Sequence, residues 1–196
     1  MSTWRRKGWS LVSLVAIASL GSAAASAATV SCPGTTTTTD REFILTTSDA
    51  TGAVCLVNNN GNSLNGVSDP LNAMGYVTLD STADATTGLL NGALSIVPLP
   101  GVSGTFTINP TLVAGFTNFV IGFQAGTAGI NPDYAAFLLP AGILGGSWSI
   151  ASTDADLGNV NRVILYAQPV PLPAAAWLLL SGLVGFGLVA RRRPAA

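Results

Sequence analysis

Between residues 28 and 168 the apolar runs are no longer than nine residues and are cut by Gly, Asn, Asp and Pro, and none carries the three- and four-residue apolar spacing of an amphipathic helix. Several alternate with period two. Phe106 and Ile108 are set between Thr105 and Thr107, Trp148 and Ile150 between Ser147 and Ser149, and Phe119, Ile121 and Phe123 share one face of their run. Alternation of this kind sends successive side chains to opposite faces of a pleated strand. Strands are expected at 42–46, 53–57, 75–79, 89–97, 104–109, 118–124, 134–139, 146–150 and 162–167. The first two are split by a turn over 48–52, and the Asn-Gly cluster at 58–62 ends the second, since Asn and Gly tolerate positive φ. The five threonines Thr35 to Thr39 have no helical stripe and read as an exposed strand edge or an ordered loop, with O-glycosylation as the functional alternative. About nine short strands in a chain with 22 Gly and 11 Pro point to an all-β ectodomain, an antiparallel β-sandwich of jelly-roll-like type.

The two ends are of another kind. Residues 1–27 have the zones of a secretory leader: Arg5, Arg6 and Lys7, an apolar stretch from Leu11 to about Leu20, and a small-residue ending in Ala25-Ser26-Ala27. The expectation is a helical signal segment cleaved after Ala27, with Ala28 opening the mature chain. Lys7-Gly8-Trp9 follows the arginine pair where twin-arginine export has hydrophobic residues, so general secretion is preferred. Residues 170–193 read VPLPAAAWLLLSGLVGFGLVARRR. The apolar stretch 174–190 spans about 26 Å as a helix, slightly short of a hydrocarbon core of ~30 Å, and suits one transmembrane helix with local thinning. Arg191, Arg192 and Arg193 would stay on the cytoplasmic side, which puts residues 28–168 outside the inner membrane.

Of the eight basic residues, six lie in these end segments. Arg41 and Arg162 alone face nine acids in the ectodomain, a net charge of −7. A module with that balance is a poor partner for nucleic acid or anionic lipid. Its 141 residues suffice for one domain with a core. Both cysteines, Cys32 and Cys55, fall in the exported part, where a disulfide between them is expected.

The chain has no histidine, which removes Ser-His-Asp triads, Cys-His dyads and His-ligated metals. With one Glu and eight Asp, nothing singles out a carboxylate pair for glycoside hydrolysis, and no Gly-rich phosphate loop is present, so no enzyme and no cofactor are expected. Asp154 and Asp156, two carboxylates at i and i+2, offer oxygen to Ca²⁺; the spacing fails the EF-hand pattern, and a solvated loop is the preferred reading. Trp148 and Tyr134, with Tyr76 and Tyr166, are candidate stacking platforms for a sugar ring, weighed against a place in the core, which is the commoner fate of an aromatic residue in an alternating strand.

The order Val170-Pro171-Leu172-Pro173-Ala174, then the apolar helix, then Arg191 to Arg193, resembles the C-terminal sorting signal of the PEP-CTERM class in its VPLPA-CTERM variant. Leu172 stands where the commoner motif has Glu. The resemblance implies three segments, 1–27, 28–168 and 169–196, and an exosortase-type processing enzyme as partner. It implies a transient inner-membrane anchor and delivery to the cell surface or an exopolysaccharide matrix, in a structural or adhesive role. A plain tail anchor, with the prolines only blocking backward extension of the helix, is the alternative. The succession 118–126, 135–139, 146–149 and 160–166 is also similar to the second half of many PEP-CTERM ectodomains, a resemblance that implies a β-sandwich and supplies no activity. A carbohydrate-binding module, for an exopolysaccharide, is the alternative function for such a domain.

Overall fold

The structure, a computed structural model, describes residues 26–32, 41–49, 51–61, 64, 68–82, 88–125, 130–152, 158–171 and 181. They form ten strands and one short helix: β1 (Ala28–Cys32), β2 (Glu42–Thr47), β3 (Val54–Asn59), α1 (Pro70–Ala73), β4 (Val77–Ser81), β5 (Leu94–Val97), β6 (Ser103–Ile108), β7 (Phe116–Gln124), β8 (Tyr134–Leu138), β9 (Gly145–Ala151) and β10 (Arg162–Pro169). The strands make two five-stranded sheets, β1-β2-β9-β6-β5 and β3-β8-β7-β10-β4, in which all pairings are antiparallel. The all-β reading is therefore correct. In chain order the strands change sheet five times, from β2 to β3, β4 to β5, β6 to β7, β8 to β9 and β9 to β10, and the first and fourth of these changes join neighbouring strand pairs because β2 pairs with β9 and β3 with β8.

The alternation in the sequence becomes the inner face of each sheet. In the first sheet Phe43, Leu45, Phe106, Ile108, Trp148 and Ile150 point inward. They meet Ile121, Phe123, Phe137, Val163 and Leu165 of the second sheet in one cluster. At its centre the Trp148 and Phe123 rings lie 5.5 Å apart, and Phe123 stands edge-on to Phe137 at 6.1 Å. Such contacts add to the area term that drives the sheets together.

Both ends of the sandwich are clasped. Cys32 on edge strand β1 and Cys55 on edge strand β3 form the expected disulfide, Cα to Cα 5.5 Å, across the two sheets. Closing a loop of 23 residues' separation stabilises the fold by about 3 kcal/mol on the chain-entropy model. At the opposite edge, the buried carboxylate of Asp80 on β4 accepts hydrogen bonds from Leu94 N on β5 at 2.8 Å and from Ser81 N at 2.8 Å. Arg41, fully buried, ties the start of β2 to the chain around β7 and β8: its guanidinium donates to Ala125 O at 2.7 Å and to Pro132 O at 3.2 Å, 6.0 Å from the centroid of the Phe43 ring.

Three differences from the sequence reading have local causes. β1 went unanticipated because ATVSC abuts the expected leader and is only five residues long. The expected strand 89–97 is a strand only from Leu94, because Gly92 adopts φ 81° and Asn109 N bonds Ala93 O, turning the chain just before it. The helix α1 is four residues long, too short to show a periodicity; Asp69 caps it by accepting from Leu71 N at 2.9 Å, and Pro70 occupies its first turn. The expected signal segment, the helix 174–190 and the Thr35–Thr39 run lie outside the described residues, apart from Ser181. No helix among the described residues is long and apolar enough to cross a membrane.

Candidate functional site

The outer faces of the two sheets are treated oppositely. On the second sheet, β7, β8 and β10 are buried on both sides. Val120, Tyr134, Ala136, Ile164 and Tyr166 point outward into a second cluster, and Leu64 and Leu71, from the segment between β3 and β4, lie over them. Gly122 in the middle of β7 makes the room: a Cβ there would stand 3.0 Å from Leu64 Cδ1 and 3.3 Å from Tyr166 Cε2. The Tyr166 hydroxyl donates to Asp69 Oδ2 at 2.7 Å, so the carboxylate that caps α1 also ties it to the sheet.

On the first sheet the outer face is open, and its registers stack hydroxyls in rows. Thr29, Thr46, Ser147 and Thr105 are consecutive cross-strand partners over β1, β2, β9 and β6, with Val97 of β5 completing the row. The next row holds Ser31, Ile44, Ser149 and Ser103. Thr107 and Ser95 pair beside the first row. Most of these side chains are exposed, with Thr46, Ile44 and Ser149 half-buried. The Thr29 and Thr46 hydroxyls are 2.9 Å apart and bond each other. Strand spacing puts neighbours in a row ~4.8 Å apart, so the first row runs about 19 Å.

Charge is kept off this face. Among the described residues only Glu42, at the start of β2, borders it. Asp69 and Asp80 are buried, Asp133 lies before β8 and accepts from Gly61 N, and Asp49 lies in the turn after β2. The Asp49 carboxylate accepts from the Thr51 hydroxyl and from Thr51 N, which holds its pKa below the ordinary 3.8.

The aromatic candidates are elsewhere. Trp148 is 3% exposed inside the main core, and Tyr134 is 2% exposed in the outer cluster of the second sheet. Neither ring presents a face to solvent: both are packing residues, the core fate preferred above over the stacking-platform alternative. Tyr166 is likewise buried and Tyr76 half-buried. Asp154 and Asp156 lie outside the described residues, among which no group of three or more His, Cys, Asp or Glu is placed to hold a metal ion. Of the expected cleavage residues, Ala28 opens β1, Ala27 directly precedes it, and Ala25 lies outside the described residues. Of the sorting motif, Val170 and Pro171 are exposed just after β10, with Val170 N bonded to Gly115 O at 3.1 Å; Leu172, Pro173, Ala174 and Arg191 to Arg193 lie outside.

The hydroxyl face was not singled out from the sequence, although its signal was present as the polar members of the alternating strands, Thr105, Thr107, Ser147 and Ser149. In comparisons with known proteins, no family model matches the sequence, and no curated protein or solved structure matches it.

Proposed function

We propose that the chain is an exported protein of the cell surface or extracellular matrix, structural or adhesive in role, whose residues 169–196 form a PEP-CTERM-type sorting signal of the VPLPA variant. The observation that carries this reading is the three-part order of Val170 to Ala174, the apolar stretch 174–190 and Arg191 to Arg193. Two structural facts support it. The last strand ends at Pro169, so the motif begins where the sandwich is already complete, and Val170 and Pro171 are exposed to an exosortase-type enzyme. The Cys32–Cys55 disulfide suits an oxidising compartment, in line with a cleaved leader over 1–27. On this reading 174–190 is a transient transmembrane helix in the inner membrane.

Mass spectrometry of the mature C-terminus tests it. A surface fraction truncated near Pro173 is the expected result, and an intact Arg191-Arg192-Arg193 tail in that fraction would sink the sorting signal. A second reading, a carbohydrate-binding module, is favoured by the open hydroxyl face of the first sheet rather than by aromatic residues.

A further inference from the structure

We propose that the outer face of the β1-β2-β9-β6-β5 sheet is a binding surface for an extended, uncharged polysaccharide, held by rows of serine and threonine hydroxyls. The inference deepens the surface-protein reading and rests on it for the location of the partner. Three features of the face select this chemistry. Apart from Ile44 and Val97 the side chains in its rows are hydroxyls, each able to donate and accept, so they suit a partner that itself offers mixed donors and acceptors along its length. The first row carries hydroxyls across four neighbouring strands at even spacing, with Thr46 and Ser147 at its centre, an extended array fitted to an extended, repetitive partner rather than to a compact ligand. Among the described residues, charge is absent from the face except at Glu42, while residues 28–168 carry a net −7. That field repels polyanions and leaves neutral polymers unopposed.

The contrast with the second sheet argues that the open face is not simply a side left over. Where a face of this protein bears Val120, Ile164 and Tyr166, the chain covers it with Leu64 and Leu71; the face left open is the one whose side chains are polar. Each hydrogen bond to such a partner replaces one to water and gains little alone. Binding therefore requires many at once, which predicts retention on fibres and none on short oligosaccharides.

The test uses full-length protein in detergent micelles, sedimented with insoluble cellulose or curdlan as neutral fibres and with alginate beads as a polyanion. Expected are co-sedimentation with a neutral fibre, none with alginate, and no competition from cellohexaose. Ser147→Arg, which sets a bulky charge at the centre of the array, should weaken retention at least about tenfold. Thr105→Ala with Ser147→Ala removes two hydroxyls without adding bulk and should weaken it about fivefold or more. Asn72→Ala, on exposed α1 across the molecule, should bind as wild type. Failure to sediment with either neutral fibre, equal retention on alginate, or full retention by the Ala pair would overturn the proposal. The outcome separates from that of the sorting signal: fibre retention by a protein whose arginine tail stays intact at the surface supports this face and overturns the processing, and a truncated surface protein that ignores both fibres does the reverse.

Discussion

The two sheets have five strands each and share one core, yet one has both faces buried and the other only one. On the second sheet the outward positions of β7, β8 and β10 are Val120, Tyr134, Ile164 and Tyr166, and exposing them would leave an apolar patch of the size that invites association. Leu64 and Leu71, from between β3 and β4, lie over it, and the Asp69–Tyr166 hydrogen bond ties α1 to the sheet. On the first sheet the outward positions are Thr, Ser, one Ile and one Val, and nothing among the described residues covers them. More apolar surface is thus buried on the second sheet, while the outward hydroxyls of the first face solvent.

Mutation of the covering segment should break the contrast most severely. Leu71→Ala empties a fully buried position between α1 and the sheet and should cost about 3 kcal/mol in urea unfolding. Loss below about 1 kcal/mol would mean that the cover is only loosely seated. Removing the disulfide with Cys32→Ala and Cys55→Ala should cost about 3 kcal/mol or slightly less on the same scale. Because only the second sheet is sheltered on both faces, amide exchange in that variant should accelerate in β1 and β2 before β7 and β10. Uniform acceleration would show the sheets opening as one.

Tyr166→Phe takes the hydroxyl donor from Asp69 while leaving the ring in place, and about 1.5 kcal/mol of destabilisation is expected. On the other sheet, Thr105→Ala with Ser147→Ala should change the unfolding midpoint by no more than about 0.5 kcal/mol, since both side chains face solvent. A larger loss would place the hydroxyls among the groups that hold the sheet together. The smallest effect belongs to Asp49. Its folded pKa is depressed by the Thr51 hydrogen bonds, so its contribution is present above pH 3.8 and fades as pH falls through the lower folded value. Asp49→Asn should remove that slope from a plot of unfolding midpoint against pH on the acid side of 3.8, and an unchanged slope would assign it to other carboxylates.

What the sequence made legible follows from how far each cause reaches along the chain. Period two is local, so the inward sets Phe119-Ile121-Phe123, Phe106-Ile108 and Trp148-Ile150 could be read directly, and with them the all-β class. The burial of Tyr134 and Tyr166 on the outer side of their sheet depends on Leu64 and Leu71, distant in sequence and without a repeat of their own, so those rings looked available for a ligand. The hydroxyl rows depend on register. Thr29, Thr46, Ser147 and Thr105 become neighbours only when β9 inserts between β2 and β6, a pairing set by the whole core.

The position of β10 bears on how the molecule carries load. It lies inside its sheet, laddered to β7 on one side and β4 on the other, and the chain leaves it at Pro169 in line with the strand. A tension applied beyond Val170 pulls β10 along its own axis, so the bonds of both ladders are strained together in shear instead of parting one after another. The domain is therefore built to stay shut when tugged from its C-terminal side.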